Sequence, residues 1–177
     1  MNLDVLFGSK TKLAILQFLV FRRQGVSMRA FEAELNYSFP AIKKQIDIME
    51  EAKLILVEKD GNKHSISLEP SLYDQLKPLF LFALKQNILS LLHSYDTLIK
   101  KSFFGQVFGN DFEHDLVVIY APGFDEHTQM IKESLSDIFR QSMVFHIKVV
   151  FMSEDEFDRR YRLADKFVLT LMRQASQ

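Results

Sequence analysis

Between residues 54 and 68 the chain reads Leu54-Ile55-Leu56-Val57, then Glu58-Lys59-Asp60-Gly61-Asn62-Lys63, then His64-Ser65-Ile66-Ser67-Leu68. Two β-rich runs around Asp60-Gly61 predict a hairpin, because Asp and Gly accept the positive φ of tight turns whose twist suits paired strands. What precedes the hairpin narrows the fold further. Over residues 10–22, Leu13, Leu16, Leu19 and Val20 share one broad face, Ser9 or Thr11 can cap the start, and Gln24-Gly25 supplies a stop; the pattern predicts a helix. Ser27 opens a shorter helix, Met28 to Leu35, with Phe31 and Leu35 turned inward. Asn36-Tyr37 makes a break, Ser38 offers an N-cap, and a third helix is expected over Phe39 to Ala52. Pro40 falls in its first turn, where a missing N–H does little harm. Ile42, Ile46 and Met49 recur at i, i+4, i+7, a stripe expected to be buried, with Lys43, Lys44 and Asp47 on the other side.

Helix, short helix, turn, helix, hairpin is the order of a winged helix-turn-helix. In that motif the third helix enters the major groove and its outward residues meet base edges and phosphates. The candidates here are Tyr37, Ser38, Lys43 and Lys44, with Gln45 beside them. The wing tip, Lys59 to Lys63, is expected to approach phosphates or the minor groove, and Arg22, Arg23 and Arg29 to add phosphate contacts, which give affinity without sequence information. Glu32, Glu34, Asp47, Glu50 and Glu51 lie close in sequence, so a solvated helix face or a protein-binding winged helix stands as the alternative.

Glu69-Pro70-Ser71 marks a boundary. A helix is expected from about Leu72 to Lys101, bent or split at Pro78. Its apolar density, highest over Leu79–Leu92, exceeds what one face needs and suits a linker between domains or a subunit interface. Leu116-Val117-Val118-Ile119-Tyr120 is a continuous apolar run, as in a strand covered on both faces. Asp125 to about Arg140 reads as a helix, Val144 to Phe151 as a strand, and Ser153-Glu154-Asp155-Glu156 as a capping box opening a last helix to about Arg173. The expected fold class is α+β: residues 1–70 a winged helix-turn-helix, 71–101 a linking or dimerisation helix, and 102–177 a small α/β domain.

Net charge is −1, so any attraction to nucleic acid must come from local placement rather than a bulk field. With no cysteine, disulfides, thiolate metal sites and thiol catalysis are excluded. The five histidines, His64, His93, His114, His127 and His146, show no metal-ligand spacing, and packing is the expected role of His114. Arg159, Arg160 and Arg162 suit a solvated helix face or a basic patch. Met1-Asn2-Leu3-Asp4 is no signal-peptide start and Leu76–Leu92 is too polar for a span, so a cytoplasmic protein without membrane partners is expected.

The stretch Leu6-Phe7-Gly8-Ser9-Lys10-Thr11-Lys12-Leu13-Ala14-Ile15-Leu16, with Ala41-Ile42, Ile46 and Met49-Glu50-Glu51-Ala52-Lys53-Leu54-Ile55, resembles small prokaryotic regulators with ArsR-like winged-helix domains. Members often carry Gly where Lys53 stands. One branch of that family is fused to a minimal nucleotidyltransferase domain, and the remainder of the chain is similar to it. Phe103-Phe104-Gly105-Gln106 sits where the family has a hydrophobic pair, Gly and Ser. Glu113-His114-Asp115-Leu116-Val117-Val118 sits at its carboxylate pair and strand, and residues 148–157 resemble its third strand and following helix. The resemblance implies a site at Gly105, Gln106, Glu113, Asp115 and Lys148. Nucleotidyl transfer needs two carboxylates one residue apart to hold magnesium, a small turn for the phosphates, and a third carboxylate to activate the acceptor. Glu113 and Asp115 keep the spacing; Gln106 replaces the serine and Lys148 the third carboxylate. The implied site is vestigial, with no catalytic residue, metal or cofactor expected.

The sequence is thus consistent with a homodimeric regulator of double-stranded DNA whose second domain serves dimerisation, the sensing of a small-molecule or protein effector, or partner binding. The alternatives are an active magnesium-dependent nucleotidyltransferase and a winged-helix protein-interaction module.

Overall fold

The computed structural model describes residues 3–22, 24–60, 63–110, 112–123 and 125–175, apart from the side chains of Asp60, Lys63, Asp125, Gln174 and Ala175. The described residues form a mixed α+β structure in two compact units, residues 1–84 with 141–144, and 85–140 with 145–177.

In the first unit, α1 (Leu3–Phe7) leads into α2 (Lys10–Phe21), α3 (Met28–Leu35) and α4 (Phe39–Glu51), followed by the antiparallel strands β1 (Ile55–Asp60) and β2 (Lys63–Leu68). The Ser9 hydroxyl accepts from Lys12 N–H (3.3 Å) and the Ser27 hydroxyl from Ala30 N–H (3.2 Å), so both helices start where the sequence places a cap. Ser38 occupies the N-cap position of α4 but makes no side-chain cap bond; Glu32 Oε1 takes the Phe39 N–H instead (3.2 Å).

The core of this unit joins Ile15, Leu16, Phe18 and Leu19 of α2 to Phe31 of α3, Ile42, Ile46 and Met49 of α4, and Ile55 and Ile66 of the hairpin. Phe18 and Phe31 meet edge to face with ring centroids 5.3 Å apart, the arrangement aromatic quadrupoles favour. The hairpin is tied back to the α2–α3 connection. Val26 and Ile66 exchange backbone hydrogen bonds, each 2.9 Å, and Gly25 N–H donates to Ser67 Oγ (3.0 Å). The Gln24 amide donates to Leu19 O and accepts from Leu68 N–H (2.6 Å).

At the end of α4, Lys53 takes φ 56°, Leu54 N–H donates to Met49 O (2.8 Å) and Lys53 N–H to Glu50 O (2.9 Å). This is a Schellman stop with lysine in the left-handed position that glycine occupies most easily. Lys53→Gly is therefore expected to raise the stability of the first unit by about 1 kcal/mol, seen as a higher urea midpoint at unchanged slope; an unchanged or lower midpoint counts against it.

Helix α5 runs Pro70–His93 without a break at Pro78. Glu69 precedes it: Leu72 N–H donates to its carboxylate (3.2 Å), and the Ser71 hydroxyl also donates there, holding the carboxyl below its usual range. The helix ends eight residues before the expected Lys101. The Ser94 hydroxyl donates to Leu91 O (2.6 Å) and turns follow at Tyr95–Leu98. Residues expected to finish a helix instead form β3 (Ile99–Phe104).

The second unit holds a three-stranded sheet ordered β3-β4-β5, with β4 Leu116–Tyr120 and β5 Val149–Ser153. β3 pairs antiparallel and β5 parallel with β4. A parallel neighbour requires a crossover, and α6 (Asp125–Gln141) lies in that connection. Leu116 to Ile119 are all buried, as the unbroken apolar run predicts. On one face, Phe103, Val117, Ile119 and Met152 pack with Phe157, Val168 and Leu171. β5 begins five residues later than expected: His146, inside the expected strand, takes positive φ, incompatible with a strand. The last helix is two: α7 (Glu154–Arg162) and α8 (Lys166–Ala175). Ala164 at φ 53° makes a second Schellman stop, with Asp165 N–H donating to Arg160 O (3.0 Å). Asp165 then caps α8, accepting from Phe167 N–H (3.0 Å) and Val168 N–H (3.2 Å). No described helix is long and apolar enough to cross a membrane.

Candidate functional site

Two residue groups were singled out by sequence, one in each unit. In the first, α4 is divided lengthwise. Ile42, Ile46 and Met49 are fully buried, which by helical geometry turns Pro40, Lys43, Lys44, Asp47, Ile48 and Glu51 outward, and all six are exposed. Lys43 Nζ lies 2.7 Å from Asp47 Oδ2 across one turn, both side chains half exposed. Such surface pairs contribute at most about 1 kcal/mol, so an incoming anion can displace the aspartate. Ser38 is exposed at the helix entry, while Tyr37 is half-buried against the core. The Gln45 Oε1 is buried without a hydrogen-bond partner. Lys59 is exposed on β1. Lys63 stands in register with Asp60; its side chain, with Gly61, Asn62 and Arg23, lies outside the described residues. Arg29 is exposed, and Arg22 pairs with Glu34 (3.3 Å).

The second group is brought together by strand pairing. Gly105 follows β3, Asp115 precedes β4, and Lys148 precedes β5. Gly105 N–H donates to Asp115 O (2.7 Å) and Asp115 N–H to Lys148 O (2.9 Å). Asp115 is 6% exposed. Its Oδ1 accepts from Val107 N–H (3.2 Å) and its Oδ2 from Lys148 N–H (2.9 Å). Glu113 points outward and pairs with Lys148 Nζ (3.2 Å). Gln106 is exposed and opens a short 3-10 turn, Gln106–Phe108. His114 sets its ring edge-on to Phe167, centroids 5.0 Å apart, with Nδ1 buried and unpaired.

Sequence alone did not point to Asn110, whose amide donates to Phe104 O and whose N–H donates to Gly105 O (3.2 Å). Gly109-Asn110, a common turn pair, was the available sign.

A magnesium ion, which nucleotidyl transfer requires, does not fit these residues. One carboxylate is buried and accepts two amide hydrogens, the other faces an ammonium group, and among the described residues no three His, Asp or Glu side chains gather closely enough to hold a metal ion. The turn does not suit phosphates either. The N–H groups of Phe108, Gly109 and Asn110 donate to Gly105 O, Gln106 O and Gly105 O, leaving no free row of donors over those residues.

No family model matches the chain, and no curated protein or solved structure matches it significantly.

Proposed function

We propose that the chain is a DNA-binding transcriptional regulator. In this reading α2–α4 with β1 and β2 form a winged helix-turn-helix. The second unit is a nucleotidyltransferase-like scaffold with a vestigial site, used for dimerisation, effector sensing or partner binding. The observation that supports it most is the division of α4, with an apolar stripe fully buried and Lys43 and Lys44 exposed on the opposite side. It follows a short helix and turn and precedes a hairpin, the order in which such a helix enters a major groove. Lys59 on the hairpin and Arg29 on α3 would neutralise flanking phosphates.

The test is fluorescence anisotropy of duplexes selected from a random pool, repeated across salt concentrations. Each phosphate neutralised contributes about 0.9 to the slope of log affinity against log salt. Lys43→Ala with Lys44→Ala is expected to weaken binding and to flatten that slope by about 2, whereas Asp47→Asn is expected to tighten binding. If the double variant leaves both affinity and slope unchanged, the regulator reading fails.

Phe39 and Ile48 are exposed on α4 beside acidic residues, which favours a protein partner as the second reading; absence of duplex binding even at low salt would select it. A homodimer is part of the proposal, supported by the exposed Phe82 on α5 and by the two-fold symmetry of operators. Light scattering that returns a monomer at micromolar concentration removes it. Active nucleotidyl transfer would require labelled-nucleotide incorporation abolished by Asp115→Ala.

A further inference from the structure

We infer that Asp115 is a clasp joining the β3–β4 connection to the segment that enters β5, and that the Lys148 ammonium is a resident counter-charge in the place of a divalent cation. Asp115 ties three segments through four groups. Its backbone O accepts from Gly105 and its N–H donates to Lys148 O, while its two carboxylate oxygens take the N–H groups of Val107 and Lys148. A buried carboxylate is tolerated when donors surround it, and two amides meet that need here without a metal. The ion pair of Lys148 with Glu113 is mostly solvent-exposed, so its energy is small. Its consequence is one of charge: two carboxylates and one ammonium leave a single net negative charge, a weak lure for a divalent ion. The counter-charge rests on the nucleotidyltransferase-like reading of the second unit proposed above, the clasp does not, and both stand or fall separately from DNA binding.

The experiment uses the full chain labelled with nitrogen-15 and titrated with manganese, whose unpaired electrons broaden nearby amide signals. Up to about 1 mM, the weak end of protein sites for hard divalent cations, the wild type is expected to show no selective broadening at Glu113, Asp115 or Lys148. Lys148→Glu replaces the ammonium with a carboxylate beside Glu113 and is expected to acquire it. In Asp115→Asn the side-chain amide offers one acceptor oxygen and a donating NH2, so one of the two backbone N–H groups faces a donor. Hydrogen exchange at Val107 or Lys148 is expected to rise about tenfold or more, with exchange at Ile42 and Ile46 unchanged. Unchanged exchange at both amides in Asp115→Asn overturns the clasp, and selective broadening in the wild type overturns the counter-charge. A Lys148→Glu variant that stays blind to manganese overturns the counter-charge. Should Asp115→Asn fail to fold, exchange in the wild type decides the clasp: the Val107 and Lys148 amides, both donating to the Asp115 carboxylate, are expected to be protected, and free exchange at both overturns it.

Discussion

Gly105→Ala is expected to remove the ordered fold of the second unit, at a cost above about 4 kcal/mol, an exceptional range that a collision with immovable main chain can reach. A Cβ at this position would lie 1.6 Å from His114 O, 2.7 Å from His114 C and 2.8 Å from Phe112 Cε2. Two of the three obstacles are main chain, so no rotamer change relieves the overlap. The φ of Gly105 is −105°, outside the left-handed range that favours glycine, and the lack of space is enough to exclude a side chain. Backing the chain away would break the 2.7 Å bond from Gly105 N–H to Asp115 O and with it the neighbouring Val107–Asp115 bond. Urea unfolding of the full chain, followed by amide signals of Phe104 and Leu116 for the second unit and of Ile42 and Ile46 for the first, separates the two responses. The first pair is expected to vanish at much lower urea while the second keeps its midpoint. A loss below about 1 kcal/mol, ordinary for a point substitution, would show that the connection yields.

Phe31→Ala is expected to destabilise the first unit by about 3–5 kcal/mol, the usual cost of deleting a buried ring. Phe31 has no solvent exposure and gives up its edge-to-face partner Phe18. Small domains are stable by only about 5–15 kcal/mol, so the loss takes a large share of the total. It should appear as a fall in urea midpoint with little change in slope, and under the proposed function duplex affinity should fall with it, because α3 packs against α4 in the core of the first unit. A midpoint within the scatter of surface variants would mean that the core closes over the gap.

The first unit was legible in the sequence from α2 to β2, where each element carries a local cue; the five-residue α1 carries none. Ser9 and Ser27 cap helices through their own hydroxyls, Ile42, Ile46 and Met49 repeat at the helical period, and Asp60-Gly61 separates two β-rich runs. The elements that sequence misplaced lack such cues. β3 reads Ile99-Lys100-Lys101-Ser102-Phe103-Phe104. As an edge strand its outer residues stay polar, and only pairing with β4 makes it a strand. The gap between α7 and α8 has neither Gly nor Pro; Ala164 in a left-handed conformation and the Asp165 cap make it. The later start of β5 similarly depends on positive φ at His146, where no Gly or Pro marks a break.

The candidate sites divide in the same way. The outward placement of Lys43 and Lys44 follows from the period that buries Ile42 and Ile46, and the nearness of Asp47 follows from its position four residues after Lys43. That both oxygens of Asp115 turn to backbone amides was beyond sequence reasoning, since Lys148 is brought there from 33 residues away.

The Gln24 side chain fastens the last turn of α2 to the end of β2, with the Val26–Ile66 pair alongside. The base of the hairpin therefore has no free pivot. Torque applied near Lys59 is carried as by a rigid lever into the connection that opens α3, so the hairpin and the start of that helix must respond together when either is pushed.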